Sequence, residues 1–137
     1  MANHPLYQPL WDDHAALLAD RRALLARLIS PASIESAQRL LDCRTVADDA
    51  IGDQEAIGVL IGDELVRAAG FEWATVDDDY GSEPVVAHPS KMAVIASLSA
   101  VTNRFEDGDI PFDIQGFIEE ALAIIQETET SDRNTRE

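Results

Sequence analysis

The chain has 137 residues, with 10 Lys+Arg against 26 Asp+Glu, a formal net charge of −16, 46% hydrophobic and 26% charged residues. That balance belongs to a globular chain long enough for one core and excludes a disordered or fibrous polymer. No apolar run approaches the roughly 18 residues that cross a bilayer, and one lysine among nine scattered arginines disfavours binding to nucleic-acid backbones or anionic membranes.

Residues 1–10 hold Pro5 and Pro9 and read as an extended N-terminal arm whose Leu6, Tyr7 and Leu10, with the following Trp11, pack down. They lack a basic-then-apolar signal pattern, so a cytoplasmic address is expected. A first helix begins near Asp12 or Asp13, either of which can cap it. It carries Leu17, Leu18, Leu24, Leu25, Leu28 and Ile29 at helical spacing and stops at Ser30-Pro31. A second starts at Ser33, with Ile34, Ala37, Leu40 and Leu41 inward. The sole cysteine, Cys43, falls in this helix. It rules out an internal disulfide and a Cys-cluster zinc site, and is expected to be buried and inert.

A third helix spans about Ala50 to Ala69 and ends at Gly70. Gly58 and Gly62 stand four apart on it, each costing about 1 kcal/mol relative to Ala. A close approach of another helix or a strand would offset that cost. Phe71 to Val76 then reads as a strand, Asp77 to Gly81 as a turn and Glu83 to His88 as a returning strand, in which Pro84 argues for an edge or a strand start. Met92 to Ala96, a short apolar run, is expected to be the most buried strand. A fourth helix is capped near Ser97 or Ser99 and ends at Asp107-Gly108-Asp109. The last is capped by Asp113, and residues 128–137 form a polar, frayed tail. The expected fold is a single α+β domain. A small antiparallel three-stranded sheet is packed by about five helices, three before the strands and two after.

Residues 1–44 balance five acids with five bases, so residues 45–137 carry the whole charge excess. Such a field attracts basic partners and raises encounter rates, or it serves solubility alone. His4, His14 and His88 show no metal-ligand spacing and read as surface residues, although a Ser–His or Cys–His set forms in space and not in sequence. No Gly-rich phosphate loop is present, and no cofactor is expected. The sharpest local feature is Asp77-Asp78-Asp79-Tyr80-Gly81-Ser82-Glu83. Its carboxylates form a solvated turn, an oxygen-ligand cation site or a docking tip for a basic partner. The spacing does not fit an EF-hand loop. Trp73 shares a strand face with Phe71 and Thr75, while Ala74 and Val76 face the other way. One face should meet the helices, and the other should lie under the arm or form a contact surface for a protein partner or a homodimer.

Gly62, Asp63, Gly70, Trp73, Val76, Asp77, Asp79, Tyr80, Gly81 and Glu83 form a pattern: a helix running into a glycine end, a Trp-bearing strand and an acidic turn closing in Tyr-Gly. In this the chain resembles a small bacterial domain family of unknown function. A looser match through Met92 to Gly108 extends the similarity over about residues 50–125. The resemblance implies an α+β fold and transfers no catalytic residue.

The expected function is that of a non-enzymatic, acidic protein-binding module of accessory or toxin-neutralising type. Asp77, Asp78, Asp79 and Glu83 would be its contact tip, with Trp73 and Tyr80 as apolar anchors. The alternatives are a small-molecule or metal-binding enzyme with a spatially assembled Asp/Glu/His site, and a structural homodimer.

Overall fold

The computed structural model of the chain describes residues 7–136, with side chains described as far as Gln126. Helix α1 (Asp12–Leu28) starts after Trp11, which makes no side-chain cap. Asp12 and Asp13 sit inside the first turn, opposing the helix dipole rather than capping it. Helix α2 (Ile34–Asp42) starts where Ser33 Oγ accepts the Ser36 N–H at 3.1 Å. Its inward residues are Ala37 and Leu41. Cys43 follows as the C-cap, about half a turn away from Leu41, so the thiol is exposed rather than buried. Helix α3 (Ile51–Ala69) ends at Gly70, whose φ of 76° only glycine adopts without strain.

The sheet has four antiparallel strands, not three, in the order β1 (Gln8–Pro9), β2 (Glu72–Asp78), β3 (Gly81–Ala87), β4 (Val94–Ile95). The extra strand comes from the arm: Gln8 pairs with Thr75 and Pro9 with Ala74. A proline, lacking an N–H, is tolerated there because β1 is an outer strand. β4 is two residues long and only half-buried, pairing Ile95 with Val86 and Val94 with Ala87. The strand expected to be the most deeply buried is therefore an edge. Residues 1–6 of the arm, and the side chains of the expected frayed tail, lie outside the described residues.

Register places Trp73 beside Val86 and Thr75 beside Pro84 on one face of the sheet, against α3. Ile57, Ile61 and Leu65 of α3 join Phe71 and Val86 in the main core. Val101 and Phe105 of helix α4 (Ser97–Glu106) and Ile114 and Ile118 of helix α5 (Ile114–Arg136) complete it. On the opposite face Ala74, Val85 and Ala87 are buried, with Tyr7, Val76, Val94 and Ala96 packed against them. Of the two expectations for this face, cover by the arm is met at Tyr7, which packs against these buried residues.

Both glycines on α3 mark close approaches. A Cβ on Gly58 would stand 2.6 Å from Leu98 Cα, at the start of α4, where Ser97 Oγ donates to the Gly58 carbonyl at 2.8 Å. A Cβ on Gly62 would fall on the Trp73 ring. Asp113 Oδ1 caps α5 by accepting from Gly116 N at 3.0 Å. Gln38 ties α2 to the same place, its Oε1 accepting from Ile114 N at 2.9 Å and its Nε2 donating to Phe112 O at 2.8 Å.

One carboxylate joins three elements. Asp63 of α3 accepts from Arg22 Nε and Nη2 of α1, at 2.9 and 2.8 Å, and from Trp73 Nε1 of β2 at 2.9 Å. The hydrogen bond from Arg22 to Asp63 raises the guanidinium pKa. The ion pair is well over a third exposed, so solvent screens most of its Coulomb energy. The indole bond is the less accessible part. Asp63→Ala should therefore cost about 1–2 kcal/mol in urea unfolding, most of it through the unpaired Trp73 N–H.

Glu64 accepts from Arg67, and that hydrogen bond lowers its pKa below the ordinary carboxylate value. A lowered folded-state pKa adds stability above the unfolded pKa that disappears as pH falls through the folded one. The stability difference between the protein and Glu64→Gln, read by thermal unfolding, should therefore be present at neutral pH and shrink toward zero in acid.

Candidate functional site

The β2–β3 hairpin is tighter than the sequence suggests. Asp78 pairs with Gly81, so the loop is only Asp79 and Tyr80, and Asp77 and Asp78 belong to the ladder. The left-handed step falls on Gly81, with φ 122°. Asp78 Oδ1 accepts the Tyr80 N–H at 2.9 Å and holds the turn. Asp77, Asp78 and Asp79 are exposed, and Tyr80 is 99% exposed. Among the described residues no ion pair reaches these three carboxylates. Asp77 and Asp78 are consecutive ladder residues and point to opposite faces, so their carboxylates diverge. No group of three or more His, Cys, Asp or Glu suited to hold a metal ion occurs among the described residues.

Two of the six residues singled out from sequence lie away from this tip. Trp73 is half-buried on the helix-facing side, over Gly62 and bonded to Asp63. Glu83 accepts from Ser99 Oγ at 2.6 Å, in the first turn of α4, where a carboxylate also opposes the helix dipole. The tip that remains is Asp77, Asp78, Asp79 and Tyr80.

Behind the hairpin lies a cluster that the sequence did not indicate. His14 of α1, read as a surface residue, is 9% exposed and stacks on Trp11 with ring centroids 5.3 Å apart. Its Nδ1 lies 2.8 Å from Thr75 Oγ1, which also accepts the Trp11 N–H at 3.0 Å. Its Nε2 lies 3.5 Å from Ser82 Oγ. These contacts span more than sixty residues of sequence and tie the first turn of α1, with exposed Asp12 and Asp13, to the hairpin. No local pattern signals such a contact. The other described histidine, His88, is half-buried, packs edge-on against Phe71 and accepts from Ser90 N at 3.3 Å.

A groove of about 690 Å³ opens between α2 and the start of α5, lined by Ile34, Glu35, Gln38, Arg39, Asp42 and Asp113 among others. Among the described lining residues Arg39 is the only base. Both ends of the Gln38 amide are already engaged, with Ile114 N on one side and Phe112 O and Asp42 on the other. The groove shares no residue with the hairpin and contains no histidine.

Residues 33–117 match the family described as Domain of unknown function (DUF3806), a span that contains the stretch from Gly62 to Glu83 and both strands of the hairpin. A crystal structure of a protein from Bacteroides thetaiotaomicron VPI-5482 has a similar fold, with a TM-score of 0.72 at 15% identity. The superposition covers 89% of this chain and 50% of that one, so this chain spans half the length of its structural neighbour. No curated protein matches the chain. No helix among the described residues is long and apolar enough to cross a membrane.

Proposed function

The chain belongs to this family of domains of unknown function, and within it we propose that the protein is a non-enzymatic recognition module. Its acidic β2–β3 tip takes a basic protein surface, in an accessory or toxin-neutralising role, and its address is the cytoplasm. The observation that carries this reading is Tyr80, fully exposed on a turn fixed by Asp78 and preceded by three carboxylates that no ion pair reaches among the described residues. Docking buries the ring, and only its two side-chain torsions need be fixed to seat it. The charge concentrated in residues 45–137 steers a cationic partner toward it. Glu83 and Trp73 support the hairpin from within and leave the contact to residues 77–80.

Immobilised protein, exposed to a lysate of its source organism, should retain a basic protein that elutes with rising salt. The variant Asp77→Asn/Asp78→Asn/Asp79→Asn should fail to retain it. Equal capture by this variant, or capture insensitive to salt, would contradict the reading. Retention that is lost instead on Arg39→Ala would move the site to the groove between α2 and α5.

A further inference from the structure

The buried histidine plays no part in recognition at the tip, yet it is held more firmly than a packing residue needs to be. We propose that Ser82 is a nucleophile activated by His14, an acyl-accepting modification site for small activated esters or thioesters.

Three observations support this. His14 is nine-tenths buried, and its ring plane is fixed by the stack on Trp11, at an interplanar angle of 16°. Its Nδ1 is set against Thr75 Oγ1, itself fully buried and fixed by the Trp11 N–H, so Thr75 acts as a positioning residue. In the reactive tautomer Thr75 Oγ1, with Trp11 N–H on one lone pair, accepts His14 Nδ1–H on the other and Nε2 presents its lone pair to Ser82; in the opposite tautomer Thr75 O–H donates to Nδ1 and Nε2–H points to Ser82. Ser82 Oγ is 3.5 Å from Nε2, a separation ordinary for a nucleophile and base awaiting substrate, and Ser82 is exposed. The other Ser–His contact among the described residues lacks this arrangement. Ser90 lies only two residues from His88, and its own N–H and hydroxyl converge on the same Nδ1.

In the step itself, Ser82 Oγ bonds to the acyl carbon while His14 Nε2 takes the hydroxyl proton. The bond from the acyl carbon to the leaving oxygen or sulfur then breaks, and the proton passes from His14 to the departing group. The product is an O-acyl serine and a free alcohol, phenol or thiol. Nothing is oxidised or reduced. Asp12 and Asp13 precede His14 on α1, and Asp77 pairs with Ser82 across the hairpin.

The test uses the intact protein and p-nitrophenyl acetate, followed by mass spectrometry of the whole chain and of its peptides. Ser82 should gain one acetyl group well ahead of Ser90, and its labelling rate should level off above the titration of a histidine. His14→Gln should slow that labelling by about 100-fold or more. Thr75→Val should slow it, and Thr75→Ser should restore it. If His14→Gln fails to fold, the pH profile of the wild-type protein decides. A rate at Ser82 that climbs steadily with hydroxide, or that only equals that at Ser90, would overturn the proposal and leave His14 as a latch donating Nε2–H to Ser82. Because the assay needs no partner protein, its failure would leave the reading of the tip untouched.

Discussion

Gly58→Ala is expected to destabilise the protein by about 2 kcal/mol, although alanine is the better helix former by about 1 kcal/mol. The added methyl would stand 2.6 Å from Leu98 Cα and 2.8 Å from the Ser97 carbonyl. Those are backbone atoms at the start of α4, fixed in place by the bond from Ser97 Oγ to Gly58 O. No rotamer change relieves the overlap, so α4 must slide. Overpacking of this kind costs about 1–3 kcal/mol, and a rigid neighbour puts it at the upper end. For a chain of this size the melting temperature should fall by roughly 8 °C.

Gly62→Ala meets the Trp73 ring instead. Its cost should shrink in the background Trp73→Phe, which removes the ring atoms in the way, and that coupling marks the contact as direct. Gly52 supplies the control, because a Cβ there would lie 3.5 Å from Leu24 Cδ2, an ordinary contact. Gly52→Ala should be neutral or mildly stabilising. Urea unfolding of the three variants checks the order. A Gly58→Ala protein as stable as its parent would show that α3 and α4 do not meet as closely as described.

The second large effect concerns binding. Tyr80→Ala should weaken the complex with the basic partner by about 30-fold or more, the loss of roughly 2 kcal/mol typical of a central aromatic contact. The loss should lie mainly in faster dissociation, because a ring removed from the interface does not alter long-range steering. The asparagine variant at 77–79 should do the opposite, slowing association and flattening its salt dependence. Neither set should change stability by more than about 0.5 kcal/mol, since these side chains are exposed. Surface plasmon resonance at two salt concentrations separates the two effects. Tyr80→Ala with an unchanged dissociation rate would remove the tyrosine from the interface.

Where the chain's own chemistry is local, the sequence was legible. Ser33, Gly70 and Asp113 stop or start helices through bonds or dihedrals within a few residues, and each does so where the pattern placed it. The spacing of Gly58 and Gly62 announced close packing on α3 without saying what packed there. Long-range pairing was not legible. Pro9 marks an arm as irregular, yet a proline is compatible with an outer strand, and only the partner Ala74 reveals β1. Strand β2 carries apolar residues on both faces, so alternation alone could not decide which side Trp73 joins. The cluster of His14, Thr75 and Ser82 has no sequence signature because its members meet only after the sheet has packed on α1.

Recognition at the hairpin is tested most directly by the footprint of the bound partner, read as hydrogen-exchange protection of backbone amides in the complex against the isolated protein. The account predicts new protection across residues 77–82, with the groove at Gln38 and Arg39 unchanged. Protection centred on that groove, with the hairpin exchanging as before, would contradict it.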